Sequence, residues 1–411
     1  MNFEDSAEEA AFRARARAWI EANAPVGLKR ELEQTPFGQL GLKSVDSLQA
    51  AKDWQRKKAE GGWACLSWPR EYGGAGASPI ETLIWHQEEG VYKPLGMPFI
   101  VGLGVCGPAI LAWGTAEQKA RLLPPMIVGD EIWCQLFSEP AAGSDLAGVR
   151  TRAQRSGDDW IINGSKIWSS GARDSQKGLL IARTDPSLPK HAGLTMFYID
   201  TDTPGVDIRP IKQINGHSHF NEVFFTDARI PDSHRIGPVG AGWKVTLTAL
   251  LNERASVGAE MQTGFDDLLP FIMRNTKRGG ALLDSGLVSR LASIAVRDNG
   301  LKFTNYRVMT AISETGEPGP ENSVMKLVAG ATSQEVAMLG MDLQGLAGAV
   351  MGGDVNEDGE LFQMMLLRSA GRRIEGGTDE IMRGIIADRV LGLPADIRVD
   401  KNVPFNLIPH S

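Results

Sequence analysis

The stretch Gly371-Arg372-Arg373-Ile374-Glu375-Gly376-Gly377-Thr378-Asp379-Glu380-Ile381-Met382-Arg383-Gly384-Ile385-Ile386-Ala387-Asp388-Arg389-Val390-Leu391-Gly392-Leu393-Pro394 organises the reading of this chain. The glycine pair lets the backbone approach a ligand closely, and Thr378 then opens a helix whose first amides are available to an anion. Ile381, Ile385, Val390 and Leu391 form one apolar stripe behind it, and Gly392-Leu393-Pro394 stops the helix. By itself the stretch also fits an ordinary capped helix, so the rest of the chain has to decide.

At 411 residues the chain exceeds one ordinary core, and two or three subdomains are expected. With 42% apolar and 23% charged residues it is globular, and a net charge of −7 argues against nucleic acid as a partner. Three cysteines, Cys65, Cys106 and Cys134, show no CxxC spacing, so neither a disulfide framework nor a metal site is indicated. Residues 1–25 mix acidic and basic side chains without an apolar core segment and read as a mature amphipathic helix, not a targeting peptide. No run suits a membrane span, and a cytoplasmic location is expected.

Three textures follow one another. Helical periodicity is expected at 8–22, 45–60, 80–89 and 116–128, giving an N-terminal helical domain over 1–130. From 131 to 238 the period shortens. Runs at 132–137, 160–162, 179–182, 194–199 and 222–225, with turn signals between them, predict a small antiparallel β-barrel or sandwich. Helical periodicity returns at 243–274, 284–313, 321–338, 361–370 and 378–391, so 239–394 is expected to be a helical bundle. An extended surface tail over 395–411 completes an α+β chain.

With that order in hand, local sequences become recognisable. Ser138-Glu139-Pro140-Ala141-Ala142-Gly143-Ser144-Asp145-Leu146-Ala147-Gly148 resembles the first signature of the acyl-CoA dehydrogenase family. Ile161 to Ser170, Asn221-Glu222-Val223-Phe224-Phe225 with Ile230-Pro231, Gly240-Ala241-Gly242-Trp243, and the 371–394 stretch are further matches in family order. The resemblance covers nearly the whole chain. It implies an N-terminal helical domain, a middle β-barrel and a C-terminal four-helix bundle, with FAD held between barrel, bundle and a neighbouring subunit. It also implies the reaction, in which a carboxylate removes the α-proton of an acyl-CoA thioester and the β-hydride passes to flavin N5.

Such a proton needs a base in a dry pocket and hydrogen bonds to the thioester oxygen. In many family members the base directly precedes the Gly-Thr of the C-terminal motif, and that slot is Gly376 here. Another branch carries it in a Glu-Arg pair on the first long bundle helix, and this chain has Glu253-Arg254. Glu253 is therefore the expected base, three residues after Leu250 and four before Val257 on an apolar face. Glu375, one residue out of register, is the second candidate. Arg254 matches the family arginine that approaches the CoA portion, and a structural ion pair is its other reading.

For FAD, the resemblance implies Gln135, Phe137, Ser138, Gly143, Ser144, Trp168 and Ser170 around the ring, with Trp168 as a flat wall and the serines as hydroxyls for the polar edge. Thr378 and Glu380 match the helix start that meets the cofactor, and Ser144 and Gly376 also border the acyl ligand. Two elements depart from the family. Gln344-Gly345-Leu346-Ala347-Gly348-Ala349 lacks two glycines of the second signature, and the Arg-x-x-Phe-Gly element is reduced to 274–280, where Arg278 can substitute.

The expectation is an FAD-dependent acyl-CoA dehydrogenase, with an electron-transferring flavoprotein as partner, acting on bulky, steroid-side-chain or dicarboxylic thioesters. It is expected to form a homo-oligomer, dimer or tetramer, or a heterotetramer with a related subunit. A non-catalytic half-site subunit and an acyl-CoA oxidase or flavin monooxygenase on the same fold are the alternatives.

Overall fold

The structure, a computed structural model, describes residues 5–33, 40–258, 263–277, 284–315, 319, 322–351, 360–394, 397 and 400–408, without the side chains of 254–258, 276–277 and 313–315. The chain divides into two compact units. The first holds 1–213, 217–253 and 397–411, and the second holds 214–216 and 254–396.

The first unit opens with α1 (Ala7–Asn23), α2 (Lys29–Glu33), α3 (Ser47–Glu60), α4 (Pro79–Glu89), α5 (Gly107–Trp113) and α6 (Ala116–Val128). Local chemistry sets their ends. Ser6 with Glu9, Ser78 with Glu81 and Thr115 with Gln118 form reciprocal capping boxes, and Gly129 in the left-handed region stops α6. Phe12, Ala16 and Ile20 recur every four residues on α1 and bury together against Trp54, Ile84 and Trp85. All four helices expected here are present. A π turn, Gly102–Cys106, leads into α5.

The middle of the unit is an eight-stranded sheet of β1 (Trp133–Leu136), β2 (Arg152–Ser156), β3 (Asp159–Lys166), β4 (Lys177–Arg183), β5 (Leu194–Asp200), β6 (Val206–Pro210), β7 (Asn221–Pro231) and β8 (Arg235–Ile236). Its order is β6-β7-β3-β2-β4-β5-β8, with β1 beside β4. Most pairs are antiparallel. The exceptions lie on one edge of β4, where β1 runs parallel from Trp133 opposite Lys177 and β2 touches in parallel at Arg152 opposite Arg183.

Strand alternation separates two cores. Leu180 and Ala182 join Trp160, Ile162, Phe197 and Phe225 on one face. Leu179 and Ile181 join Trp133, Phe137, Tyr198 and the buried side of α5 and α6 on the other. Both faces of β4 and β5 are therefore buried, which explains their unbroken apolar runs. The helix α7 (Gly242–Gly258) starts against β5, where a Cβ on Gly242 would stand 2.6 Å from the Thr195 nitrogen. Its Val245 and Ala249 enter the same core as Trp133.

The second unit contains α8 (Phe265–Lys277), α9 (Ser285–Thr315), α10 (Asn322–Leu343), α11 (Leu361–Arg372) and α12 (Asp379–Ile385). Leu268, Phe271 and Ile272 of α8, Ile294 of α9, Val336 and Leu339 of α10 and Phe362 of α11 form one core, a four-helix arrangement. Two expectations need correction. The single helix over 243–274 is two, α7 and α8, with Gly264 at φ +82° immediately before α8. The helix over 378–391 is α12 followed by a π turn, Ile386–Val390, a period that a 3.6-residue pattern does not reveal.

Candidate active site

The site begins where β1 and β3 end side by side. The Ile167 amide donates to the Ser138 carbonyl at 2.9 Å, which sets Ser138 beside the segment that carries Trp168 and Ser170. Trp168 has φ +61°, a left-handed conformation uncommon for a bulky residue, and its side chain is 55% exposed. The backbone is locked there by its neighbour. Ser169 and Asn221 exchange backbone hydrogen bonds, and Asn221 Nδ2 adds a third bond to the Ser169 carbonyl at 3.0 Å. An indole held open to solvent at the cost of backbone strain is a feature of a binding surface, not of a core. Its edge rests on Phe220, with ring centroids 5.8 Å apart.

A buried ion pair holds this rim from behind. Lys166 at the end of β3 is fully buried and donates to the Phe137 carbonyl at 2.9 Å and to Glu139 Oε1 at 2.8 Å. Glu139 also accepts the amides of Arg150 and Thr151 at 2.6 and 2.8 Å. Burial pushes the Lys166 ammonium down to about 8, against the pull of Glu139. Burial opposes the Glu139 charge, but Lys166 and the two amides hold its carboxyl below its ordinary value. The loop between them is tied on its far side by Arg183, which donates to the Val149 and Ala147 carbonyls at 3.0 and 2.6 Å.

Of the residues expected around a flavin ring, Ser138, Trp168 and Ser170 thus share one rim. Gly143 and Ser144 lie exposed on the loop that returns from it. Phe137 differs. Its side chain is buried in the core, and only its backbone serves the rim. An open indole, flanking hydroxyls and a buried Ser169 Oγ with no partner among the described residues fit a flat ring with a polar edge, the isoalloxazine of FAD.

Gln135 lies two residues before Phe137 on β1, paired opposite Leu179, so its side chain leaves the sheet on the face of Trp133 and Phe137. On α7, Val245, Ala249 and Glu253 recur every four residues, and the first two are fully buried. The two elements meet at Glu253, whose Oε2 accepts a hydrogen bond from Gln135 Nε2 at 3.2 Å. Below this contact the π turn packs Cys106 against β1, with Sγ 3.7 Å from the Cys134 carbonyl. Burial, then Cys134 and Glu253, push the Cys106 thiol well above its ordinary value. A half-buried carboxylate at the end of a buried helical stripe, hydrogen-bonded by an amide and near the neutral Cys106 thiol, can act as a general base.

In the second unit the glycine pair is left-handed, with φ +61° at Gly376 and +98° at Gly377. Thr378 caps α12 through the Ile381 amide at 3.2 Å, as expected, and Glu380 is exposed and faces Arg383. Glu375, the second candidate base, is ion-paired with Arg368. Gln344 accepts a hydrogen bond from Gln363 at 2.9 Å. The side chain of Arg254 and the whole of Arg278 lie outside the described residues.

Sequence reasoning missed the group that braces the glycine turn. Arg373 bonds Asp379 at 2.8 Å and Gln334 at 3.0 Å, while Lys326 donates to the Arg373 carbonyl at 3.1 Å. The available signal was Asp379 directly after the cap, an acid that α12 nevertheless buries. Sequence reasoning likewise missed the Lys166–Glu139 pair, although a Lys on a strand of alternating buried residues signals an ion pair.

Comparison with known proteins agrees with these observations. Family models of the acyl-CoA dehydrogenase N-terminal, middle and C-terminal domains match residues 6–130, 134–228 and 240–391. The chain is 36% identical over 406 residues to the acyl-CoA dehydrogenase IpdE1 of Mycolicibacterium smegmatis, covering 94% of this chain and 98% of that protein. Among solved structures, the Tcur3481-Tcur3483 steroid ACAD superposes with a TM-score of 0.80 at 27% identity, over 96% of this chain and 100% of that one. The ChsE4-ChsE5 complex from Mycobacterium tuberculosis does so with a TM-score of 0.79 at 26% identity, over 97% and 100%. Three domain matches in order over nearly the whole chain, with a sheet rim that presents Trp168, make the chain a member of the acyl-CoA dehydrogenase family of FAD-dependent oxidoreductases.

Proposed function

We propose that the chain catalyses α,β-dehydrogenation of a bulky acyl-CoA thioester of the steroid-side-chain class, with Glu253 as the base. The observation that carries this is the Gln135 hydrogen bond to Glu253, at the point where the buried stripe of α7 reaches the sheet. Glu375 is the weaker candidate, because its carboxylate is engaged by Arg368. The substrate class is supported by the name of the Tcur3481-Tcur3483 steroid ACAD and by a glycine, not a side chain, at position 376.

Bound FAD supplies the hydride acceptor. The chain's own residues do the rest. Glu253 takes the α-proton onto a carboxylate oxygen, and Trp168 with Ser138 and Ser170 provides the wall and hydroxyls against the cofactor ring. An electron-transferring flavoprotein is the proposed acceptor of the reducing equivalents.

A second reading, a half-site subunit of a heteromeric enzyme, is favoured by the altered 344–349 and 274–280 segments and by structural neighbours that are two-component assemblies. One experiment separates them. The protein is purified alone, its visible spectrum is recorded, and a panel of acyl-CoAs is added without oxygen. A flavin band bleached by steroid-side-chain thioesters and not by short straight-chain ones supports the proposal. A colourless protein that takes up no added FAD sustains the half-site reading.

A further inference from the structure

We infer that Gln135 is the positioning residue of the base, fixing the Glu253 carboxylate through its side-chain amide. The inference rests on the reading of Glu253 as base and deepens it. Its face of β1 is otherwise apolar, with Trp133 and Phe137 on either side, both buried in the core that receives Val245 and Ala249. Placing a carboxamide among them carries a desolvation cost unless its donor has a partner, and the partner is Glu253 Oε2 at 3.2 Å. The contact joins β1, which pairs with β4 from Trp133 to Leu136, to the last residue of α7 in the first unit, so it ties the carboxylate to the sheet.

Two consequences follow for proton transfer. A carboxylate on a flexible two-torsion stem is held to one orientation, which removes part of the positioning cost from the reaction. A donor to the ionised form also stabilises it, so Gln135 sets the acidity at which the base becomes active. A titratable group close to the contact is Cys106 of the π turn, whereas Cys134 of β1 faces the other core. Burial pushes the Cys106 thiol well above its ordinary value, so it stays neutral beside the carboxylate.

The test uses the FAD-loaded full chain with octanoyl-CoA and a steroid-side-chain acyl-CoA as probes. Two readouts are followed from pH 5 to 9, anaerobic flavin bleaching and exchange of the thioester α-hydrogen in deuterated buffer, which needs the base alone. The variants are Gln135→Met, Gln135→Glu and Glu253→Gln. Met keeps length without a donor, and Glu keeps shape while turning the donor into an acceptor.

With Glu253→Gln inactive in exchange, the inference expects Gln135→Met to exchange about tenfold slower or worse, with the acid limb raised by about one pH unit, for loss of one hydrogen bond to a charge. Gln135→Glu should raise the limb further. A residue that only packs would change melting temperature and leave the limb in place. If Glu253→Gln is inactive while both Gln135 variants keep the parent limb and exchange within twofold of the parent rate, the positioning role is overturned and the base stands. If Glu253→Gln exchanges at the parent rate, the base reading fails, and the positioning role with it.

Discussion

Replacing Lys166 with Met tests whether the flavin-side rim is held by a buried charge. The side chain fills about the same space but loses two bonds, to the Phe137 carbonyl at 2.9 Å and to Glu139 Oε1 at 2.8 Å. Glu139 then keeps a buried charge with only the Arg150 and Thr151 amides for support. Removing one partner of a buried pair costs about 3–5 kcal/mol, and the two surviving amide bonds place this case near about 3. At about 2–4 °C per kcal/mol for a region of this size, the melting temperature should fall by about 6–12 °C. Because the lost bonds anchor Phe137 and Glu139 on either side of Ser138, FAD uptake should weaken in parallel, read by titration of the visible band. Glu139→Leu should be worse than Lys166→Met, since it leaves two backbone N–H groups without their acceptor and a buried ammonium with only the Phe137 carbonyl. A Lys166→Met protein melting within 2 °C of its parent and binding FAD equally well would refute the argument.

Three further outcomes follow from the same geometry. Gly242→Ala places a Cβ 2.6 Å from the Thr195 nitrogen and 2.7 Å from the Leu194 carbonyl carbon; backbone cannot yield there, so a melting scan should show α7 displaced from β5 and the protein strongly destabilised. Trp168→Gly removes a left-handed strain of about 1–2 kcal/mol together with an exposed indole, so thermal stability of the apoprotein should hold or rise while FAD affinity, by titration, falls at least tenfold. His86 and His234 are pushed by burial to about 4, below the ordinary 6.5. Between those values the unfolded chain binds protons that the native one does not, so stability is full above pH 6.5 and is lost as pH falls toward 4. A melting series from pH 7.5 to 4.5 should show that slope, and His86→Gln should flatten part of it.

The helical first third was legible because its signals are local. Ser6, Asp46, Ser78 and Thr115 each cap a helix within three residues, and the apolar spacing on α1 needs no partner to be seen. The sheet was legible in number and texture but not in its joins. β2, with only Ala153 fully buried, carries little pattern, and the parallel contacts of β4 with β1 and β2 join segments more than thirty residues apart. The same distance dependence governs the site. Glu253 is singled out by the resemblance, through its Glu-Arg pair and the glycine at 376, and the glycine turn by its own residues. No local pattern reports that Gln135, 118 residues earlier, donates to Glu253, or that Lys166 reaches back to Glu139. A polar residue on an otherwise apolar strand face is the one sign that sequence offers in such cases, and it names the residue without naming the partner.

The two glycines of the organising stretch are there for different reasons. A Cβ on Gly377 would stand 2.4 Å from the Met382 methyl and would also carry φ +98°, so both space and backbone exclude a side chain. At Gly376 a Cβ would meet nothing within 4 Å, and φ is +61°. There a side chain meets only the left-handed penalty of about 1–2 kcal/mol, less than its position beside a turn braced by Arg373, Asp379 and Lys326 could absorb. Crowding within its own unit therefore does not account for the absence of a carboxylate at 376. The absence is consistent with the proposal that the base is Glu253 of α7. Gly377 thus keeps the turn within its own unit, and under the proposed function the proton transfer falls to Glu253, which Gln135 of β1 holds.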